Sequence, residues 1–194
     1  MARDDRLRWE ARYREGAAAL AAAAPSPFLA AHAGLLGGRV LDVAAGAGRN
    51  ALFLARRGCT VHAVDIAGAG LAAAARVARR EGLSLHCLQA DLESLPLPDD
   101  HYDVVVNIRF LHRPLLPVLR RTVRPGGLIV FETFLADHAA AGHPRNPAFL
   151  LERGELAQAL TGFTLLVLEE GRCDDASGPA WLARAVARRP HGLG

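Results

Sequence analysis

From residue 39 onward, five short and almost unbroken apolar runs set the pattern: "RVLDVA", "TVHAVDI", "LSLHCLQAD", "YDVVVNI" and "GLIVFETF". Their length and β-branched content predict strands. Stretches of helical period separate them, and these predict helices over Asn50 to Arg57, Gly70 to Arg80 and Pro114 to Val123. In the second, Leu71, Ala75 and Ala78 fall on one face. Gly58, Gly82 and "RPGG" punctuate the ends. Strands apolar on both faces belong in a parallel sheet covered by helices, and the alternation implies a doubly wound α/β sheet. Beyond the fifth strand, "ELAQAL" predicts a helix, and "FTLLVLEE" and "AWLARAVAR" predict two more strands, spaced as an antiparallel hairpin at the sheet edge. Ahead of the first strand, Asp4 to Leu36 is helical in character and is broken by Pro25-Ser26-Pro27.

This organisation reads as one domain over 1–194. A helical cap occupies 1–36, a ligand-binding core 37–134, an irregular segment long enough for a lid 135–147, and a helix with edge strands 148–194. Apolar residues make up 51% and charged residues 22%, as in a soluble globular protein. No uncharged apolar stretch reaches the length of a membrane span, and the charged start "MARDDRLRWE" is unlike a signal peptide, so the expectation is a cytoplasmic protein with no membrane partner. The three cysteines, Cys59, Cys87 and Cys173, and the eight histidines are dispersed, which predicts buried free thiols and no metal site.

Every basic side chain is an arginine; there is no lysine. That excludes a lysine Schiff base, a Walker-type phosphate lysine and a lysine general base. The net charge of +3 raises nucleic acid as a partner. However, the doublets Arg56-Arg57, Arg79-Arg80 and Arg120-Arg121 fall where helices end, where cations complement the helix dipole. No nucleic-acid partner is expected.

The stretch "LDVAAGAGRN", Leu41 to Asn50, places a carboxylate in a strand and two glycines in the loop after it. Gly46, Gly48 and Ala51 fit G-x-G-x-x-A, so a nicotinamide-dinucleotide site is the first reading, with Asp65 placed to grip ribose hydroxyls. Three features turn it. Asp42 would repel a pyrophosphate and attract a cation. Asp91, at the end of the third strand, offers an acceptor to an adenine amino group. Nothing resembling a separate catalytic domain remains for hydride chemistry. An acidic site with no phosphate clamp suits S-adenosylmethionine, which carries a sulfonium, an ammonium, a ribose and an adenine but no phosphate.

Here the chain resembles the class I S-adenosylmethionine-dependent methyltransferases over Arg39 to Phe134. "VLDVAAGAGRN" looks like their first motif, "VDI" ending at Ile66 like the acidic-loop motif, "ADLESLPLPDDHYDVVV" like the third, and "VRPGGLIVFE" like the approach to the fifth strand. "RWEARYREG", "PSPFL" and "GAGRNALFLARRG" further resemble the small tellurite-resistance and thiopurine-type enzymes, whose family implies a short helical lid and small, soft acceptors. The resemblance implies a mostly parallel seven-stranded Rossmann-like sheet with an antiparallel edge hairpin. It implies that Asp42 supports the loop and faces the methionine ammonium, directly or through water, and that Gly46 and Gly48 pass close to the methionine part. Asp65 would accept from the ribose hydroxyls and Ile66 would pack on adenine. Asp91 and Leu92 would hold the adenine edge, and Asn107, ending the fourth strand, would lie under the methionine moiety. Ala44 departs from the pattern, standing where the family has its first glycine, and implies an ordinary backbone angle there.

Asp65 and Asp91 also read individually as strand-end turn residues. Asn50 reads as a helix-turn residue, and Trp9 and Tyr13, at i and i+4, as core packing or as a cover over the site. On the acceptor side, "NIRFLHRP" is not the N/D-P-P-Y motif of base-amino and glutamine methyltransferases. His112 is the base candidate, against a helix-start role. Arg109 and Arg113 could clamp an anion, and His143, Arg145 and Asn146 lie in the lid candidate. The expected function is methyl transfer to a small-molecule nucleophile, a thiol or chalcogen anion among the options, by a monomer or homodimer. The alternatives are a nicotinamide-dependent oxidoreductase and a non-catalytic S-adenosylmethionine-binding protein.

Overall fold

The computed structural model describes residues 2–175 and 178–191. Its strands are β1 (Arg39–Val43), β2 (Thr60–Asp65), β3 (Leu85–Gln89), β4 (Tyr102–Ile108), β5 (Val123–Phe134), β6 (Thr164–Asp175) and β7 (Gly178–Arg188). The helices are α1 (Ala2–Ala21), α2 (Pro27–Ala31), α3 (Arg49–Arg56), α4 (Gly68–Glu81), α5 (Leu116–Thr122) and α6 (Glu155–Ala159). The strands form one sheet in the order β3-β2-β1-β4-β5-β7-β6, the doubly wound α/β architecture expected. By contacts the chain divides into two compact units, Met1–Pro96 and Leu97–Gly194. That division falls inside the segment 37–134 and not at either of its ends. The segment 148–194 ends in three residues that lie outside those described.

In the first unit, β1, β2 and β3 pair in parallel, with Asp42 opposite Ala63 and Asp65 opposite Gln89. β1 and β2 are buried almost throughout, but β3 is half-buried at best, and Leu88 is 49% exposed. β3 is the sheet edge, so the expectation of strands covered on both faces fails there. Helix α4 begins two residues earlier than its periodicity indicated, and Leu71, Ala74 and Ala78 are its buried stripe, with Ala75 only half-buried. Gly82, in a left-handed conformation, ends α4 as expected of a C-terminal glycine. Helix α1 lays Ala17 and Ala21 against Ala73, Ala74 and Ala78. These small side chains bring the helices close but bury few methylenes, each worth only about 0.8 kcal/mol. Ser26 caps α2 by accepting from the Leu29 N–H, and the buried Asn50 accepts from the Ser26 N–H at 2.9 Å. Asn50 sits in the first turn of α3, as read from the sequence, and ties the N-terminal segment to that helix.

In the second unit, β4 pairs in parallel with β5, and β7 pairs antiparallel with both β5 and β6. The predicted hairpin is present, and β6 is its outer strand. The helix predicted over Pro114 to Val123 is a 3-10 turn (Arg113–Leu115) followed by α5. Residues 135–147 are less irregular than expected. A 3-10 turn spans Ala136–Ala140, and a second (Pro147–Phe149), capped by Asn146, follows. No helix among the described residues is long and apolar enough to cross a membrane.

Candidate functional site

The glycine loop of the first unit is built from left-handed residues. After β1 the backbone turns with φ of +52° at Ala44, +58° at Gly46 and +77° at Gly48, where α3 begins. Alanine therefore does not bring an ordinary angle to position 44. The turn imposes the left-handed one, at a cost of roughly 1–2 kcal/mol for a residue with a Cβ. The Ala45 N–H bonds to the Val64 carbonyl at 3.0 Å, anchoring the loop to β2. A Cβ at Gly48 would sit 2.5 Å from that of Ala74, so the glycine is required for the loop to pack on α4.

Two buried carboxylates flank this loop. Asp65, at the end of β2, accepts the Gly46 N–H at 2.7 Å on one oxygen and the Ala67 N–H at 2.8 Å on the other. Its burial raises its pKa, and those backbone bonds pull it back. The structure thus gives Asp65 a loop-fastening role beside the ribose contact implied by resemblance. Asp42 is 1% exposed, and its Oδ2 has no hydrogen-bond partner. Burial, and then the Asp65 charge, push its pKa up to about 7, while a bond from the Ala51 N–H lowers it. An unpartnered, buried carboxylate oxygen is costly, and a cation is what would relieve it.

Helix α1 reaches this loop. A Cβ on Gly46 would overlap the Tyr13 hydroxyl. The pKa of Tyr13 is raised to about 12 by burial and by the Asp65 carboxylate. Trp9 stacks on Tyr13 at 6.0 Å and carries the guanidiniums of Arg8 and Arg12 over its ring. Glu10 accepts from the Ala69 N–H at 3.3 Å, at the start of α4. Tyr13 therefore stands over the glycine loop, with Trp9 stacked against it.

The remaining residues expected to hold a cofactor are placed less uniformly. Ile66 is half-buried, and its carbonyl accepts from Gln89 Nε2. β3 stops at Gln89, so Asp91 lies two residues beyond the strand end, where its carboxylate accepts the Glu93 N–H at 2.9 Å and closes a turn. Leu92, beside it, is buried. Asn107 belongs to the second unit; β4 continues to Ile108, and the Asn107 Nδ2 donates to the Phe110 carbonyl at 2.7 Å.

The acceptor-side candidates all fall in the second unit. Arg109 takes a left-handed φ of +62°, donates from its backbone to the Glu132 carbonyl, and ion-pairs with the Glu132 carboxylate at 2.8 Å. Its guanidinium lies over Phe134, 4.5 Å from the ring centroid. Arg184 approaches the other Glu132 oxygen at 3.2 Å. Sequence reasoning missed Glu132 and Arg184, although an acid within "LIVFETF" and a base within "WLARAVA" are charges in two otherwise apolar strands.

Arg113 is not available as an anion clamp. It holds Glu155 through Nε and Nη2, at 2.5 and 2.9 Å, and donates to the Ala148 and Leu150 carbonyls. The His112 carbonyl opens the 3-10 turn by accepting from the Leu115 N–H, the helix-start role weighed against catalysis. His143 is exposed, and its carbonyl faces His138 Nε2 at 3.0 Å. His138 is buried and stacked on Phe134, and its Nδ1 accepts from the Trp181 N–H. With one ring nitrogen accepting, the other donates to His143, and His138 pins the segment. Arg145 and Arg113 line one cleft of about 460 Å³.

The model of a methyltransferase domain matches residues 40–127. An uncharacterised protein of Mycobacterium tuberculosis is 35% identical over 133 residues, covering 63% of this chain and 48% of its own. The malonyl-[acyl-carrier protein] O-methyltransferase of Enterobacter lignolyticus is 34% identical, covering 51% and 40%. The chain spans about half the length, or less, of these curated relatives. The crystal structure of TehB from Haemophilus influenzae matches in fold at a TM-score of 0.70 and 22% identity, covering 84% of this chain and 61% of that one. The glycine loop and the acids that follow β2 and β3 lie within the residues that match the methyltransferase domain, and the seven-stranded sheet is shared in fold with TehB.

Proposed function

We propose that the chain binds S-adenosylmethionine on its glycine loop and catalyses methyl transfer to a small-molecule nucleophile. The observation that carries this reading is Asp42, buried beside Asp65 with one oxygen unpartnered. Two carboxylates at a bare loop favour a cationic ligand over a phosphate. Arg49, at the start of α3, sends its guanidinium to the Ala24 carbonyl and makes no phosphate cradle of the loop. The residues fit the cofactor: Asp42 offers a countercharge, Gly46 and Gly48 let backbone approach it, and Asp65 fixes Gly46 in place.

Bound there, S-adenosylmethionine supplies an electrophilic methyl on a sulfonium, already a good leaving group. The protein's task is then to align the acceptor and exclude water. Alignment alone contributes up to about 7–11 kcal/mol. Tyr13 shares the face of Gly46 that a ligand needs, so α1 serves as the cover and Tyr13 gives way or joins the contact. Its alanine-lined seat on α4 suits an element that shifts. No proton acceptor is assigned. A thiolate or chalcogen anion requires none, which favours soft nucleophiles as first acceptors to test.

Calorimetry tests the reading. Micromolar binding of S-adenosylmethionine or S-adenosylhomocysteine, about −8 kcal/mol, is expected. Heat with a nicotinamide dinucleotide and none with either of these would overturn it. An acceptor screen of thiols, selenite, tellurite, amines and phenols, read as S-adenosylhomocysteine formed, then separates an enzyme from a non-catalytic binder.

A further inference from the structure

We propose that the 460 Å³ cleft of the second unit binds a small zwitterion: an apolar body carrying one carboxylate and one protonated amine. Its binding does not depend on the function proposed above.

The cleft has apolar walls and a fixed frame. Ala136 and Ala139 come from one 3-10 turn, Pro147 and Ala148 from the next, and Leu150 from the residue just after. Both walls hang from one anchor. Leu135 and Leu151 are fully buried and bridge in parallel, the Leu151 N–H bonds to the Phe134 carbonyl at 2.8 Å, and the Ala136 N–H bonds to the Leu151 carbonyl at 2.9 Å. Arg113 braces the second wall through the Ala148 and Leu150 carbonyls. Hydrocarbon walls on a braced frame, at a volume within the usual range for small-ligand sites, suit a molecule of amino-acid size.

The charges at the cleft set its selectivity. Three charged side chains line it: Arg113, Arg145 and Glu152. Arg113 is neutralised by Glu155. Arg145 makes only a long bond, Nε to the Gly142 carbonyl at 3.4 Å, and has no ion-pair partner among the described residues. Glu152 uses its backbone N–H on Glu155, and its carboxylate makes no ion pair within 4 Å among the described residues, although its charge acts on Arg113 across the cleft. So a cation and an anion face one apolar cleft without pairing with each other. An anionic ligand satisfies Arg145 but meets Glu152; an amine does the reverse. A molecule with both groups satisfies both, its carboxylate on the guanidinium fork and its ammonium on Glu152.

Three probes share one body and differ only in charge: L-phenylalanine, 3-phenylpropionate and 2-phenylethylamine. The full chain, labelled at its alanine methyls, reports each by NMR at Ala136, Ala139 and Ala148. Phenylalanine is expected to shift all three methyls and to bind about tenfold tighter than either single-charge analogue, a step of ~1.4 kcal/mol. Arg145→Gln should reduce it to the level of the amine, and Glu152→Gln to that of the carboxylate. Equal binding of the three probes, unchanged affinity in both variants, or silent methyls would overturn the proposal. The readout needs no cofactor. Silent methyls in a chain that binds S-adenosylhomocysteine would remove this site and leave methyl transfer standing. Shifted methyls in a chain that never turns over would do the opposite.

Discussion

Replacing Asp42 by asparagine should change how stability depends on pH, and by a calculable amount. The carboxylate titrates near 3.8 when exposed and at about 7 in the folded chain, because burial and the Asp65 charge favour its neutral form. A raised folded pKa means that its stabilising contribution is complete below about pH 4 and lost as pH rises through about 7. At ~1.4 kcal/mol per pH unit, that span amounts to a ceiling of about 4 kcal/mol. Asparagine keeps the shape and never ionises, so it escapes this loss. Urea unfolding of both proteins at pH 4, 5, 6, 7 and 8 measures the difference. The variant should gain on the wild type steadily up to about pH 7 and then run level with it. Cofactor binding should show the other side of the linkage. A cation beside Asp42 favours its ionised form, so affinity in the wild type rises with pH, by up to about tenfold per unit below pH 7, and binding releases a proton. In the variant, affinity should be weaker and independent of this group. Stability curves for the two proteins that stay parallel from pH 4 to 8 would refute the reasoning, because the buried charge would then cost nothing.

Asp65→Asn leaves one of the Gly46 and Ala67 N–H groups facing an amide NH2, so unfolding free energy should fall by about 1–3 kcal/mol and cofactor affinity with it; a folded variant with unchanged Kd would remove Asp65 from the site. Gly46→Ala should abolish cofactor binding, because its Cβ meets the Tyr13 hydroxyl at a left-handed φ, and adding Tyr13→Ala should restore part of it, leaving only a dihedral cost of roughly 1–2 kcal/mol. If the double variant binds no better than Gly46→Ala alone in calorimetry, Tyr13 does not stand over the loop. Arg113→Ala should lower stability by about 1–2 kcal/mol, since it frees Glu155 and two carbonyls at a partly exposed position, while cofactor Kd stays the same; an unchanged Tm would deny Arg113 its bracing role.

Much of the first unit was legible because its signals are local. Apolar runs mark the buried strands β1 and β2, and Gly82 marks the end of α4, whatever the rest of the chain does. Ala44 was misread because its conformation is set by the path from β1 to α3 and not by its own preference. The double duty of Asp65 was hidden for a similar reason. A carboxylate at a strand end looks the same in sequence whether it awaits a ligand or holds two backbone amides. Among the candidates expected on the acceptor side, Arg109 and Arg113 have partners that lie far along the chain. Arg113 is matched by Glu155, and Arg109 by Glu132, which also faces Arg184. Spacing cannot reveal such pairs; only the pairing of β5 with β7 brings Glu132 opposite Arg184.

The position of β7 bears on how the protein is made. It lies between β5 and β6 and bonds to both, yet it leaves the ribosome after either of them. At ordinary rates of synthesis, roughly a second separates the emergence of β6 from that of β7. For that interval the nascent chain holds two bare strand edges meant for a third. One of them, β6, carries Leu165, Leu166 and Leu168, which stay about 40% exposed even in the finished fold. A stalled or truncated polypeptide that stops before β7 would keep both edges open and could join them directly to each other, or to those of another chain. Chaperone demand, and the aggregation of products that stop short of β7, should therefore concentrate on β6 and β7.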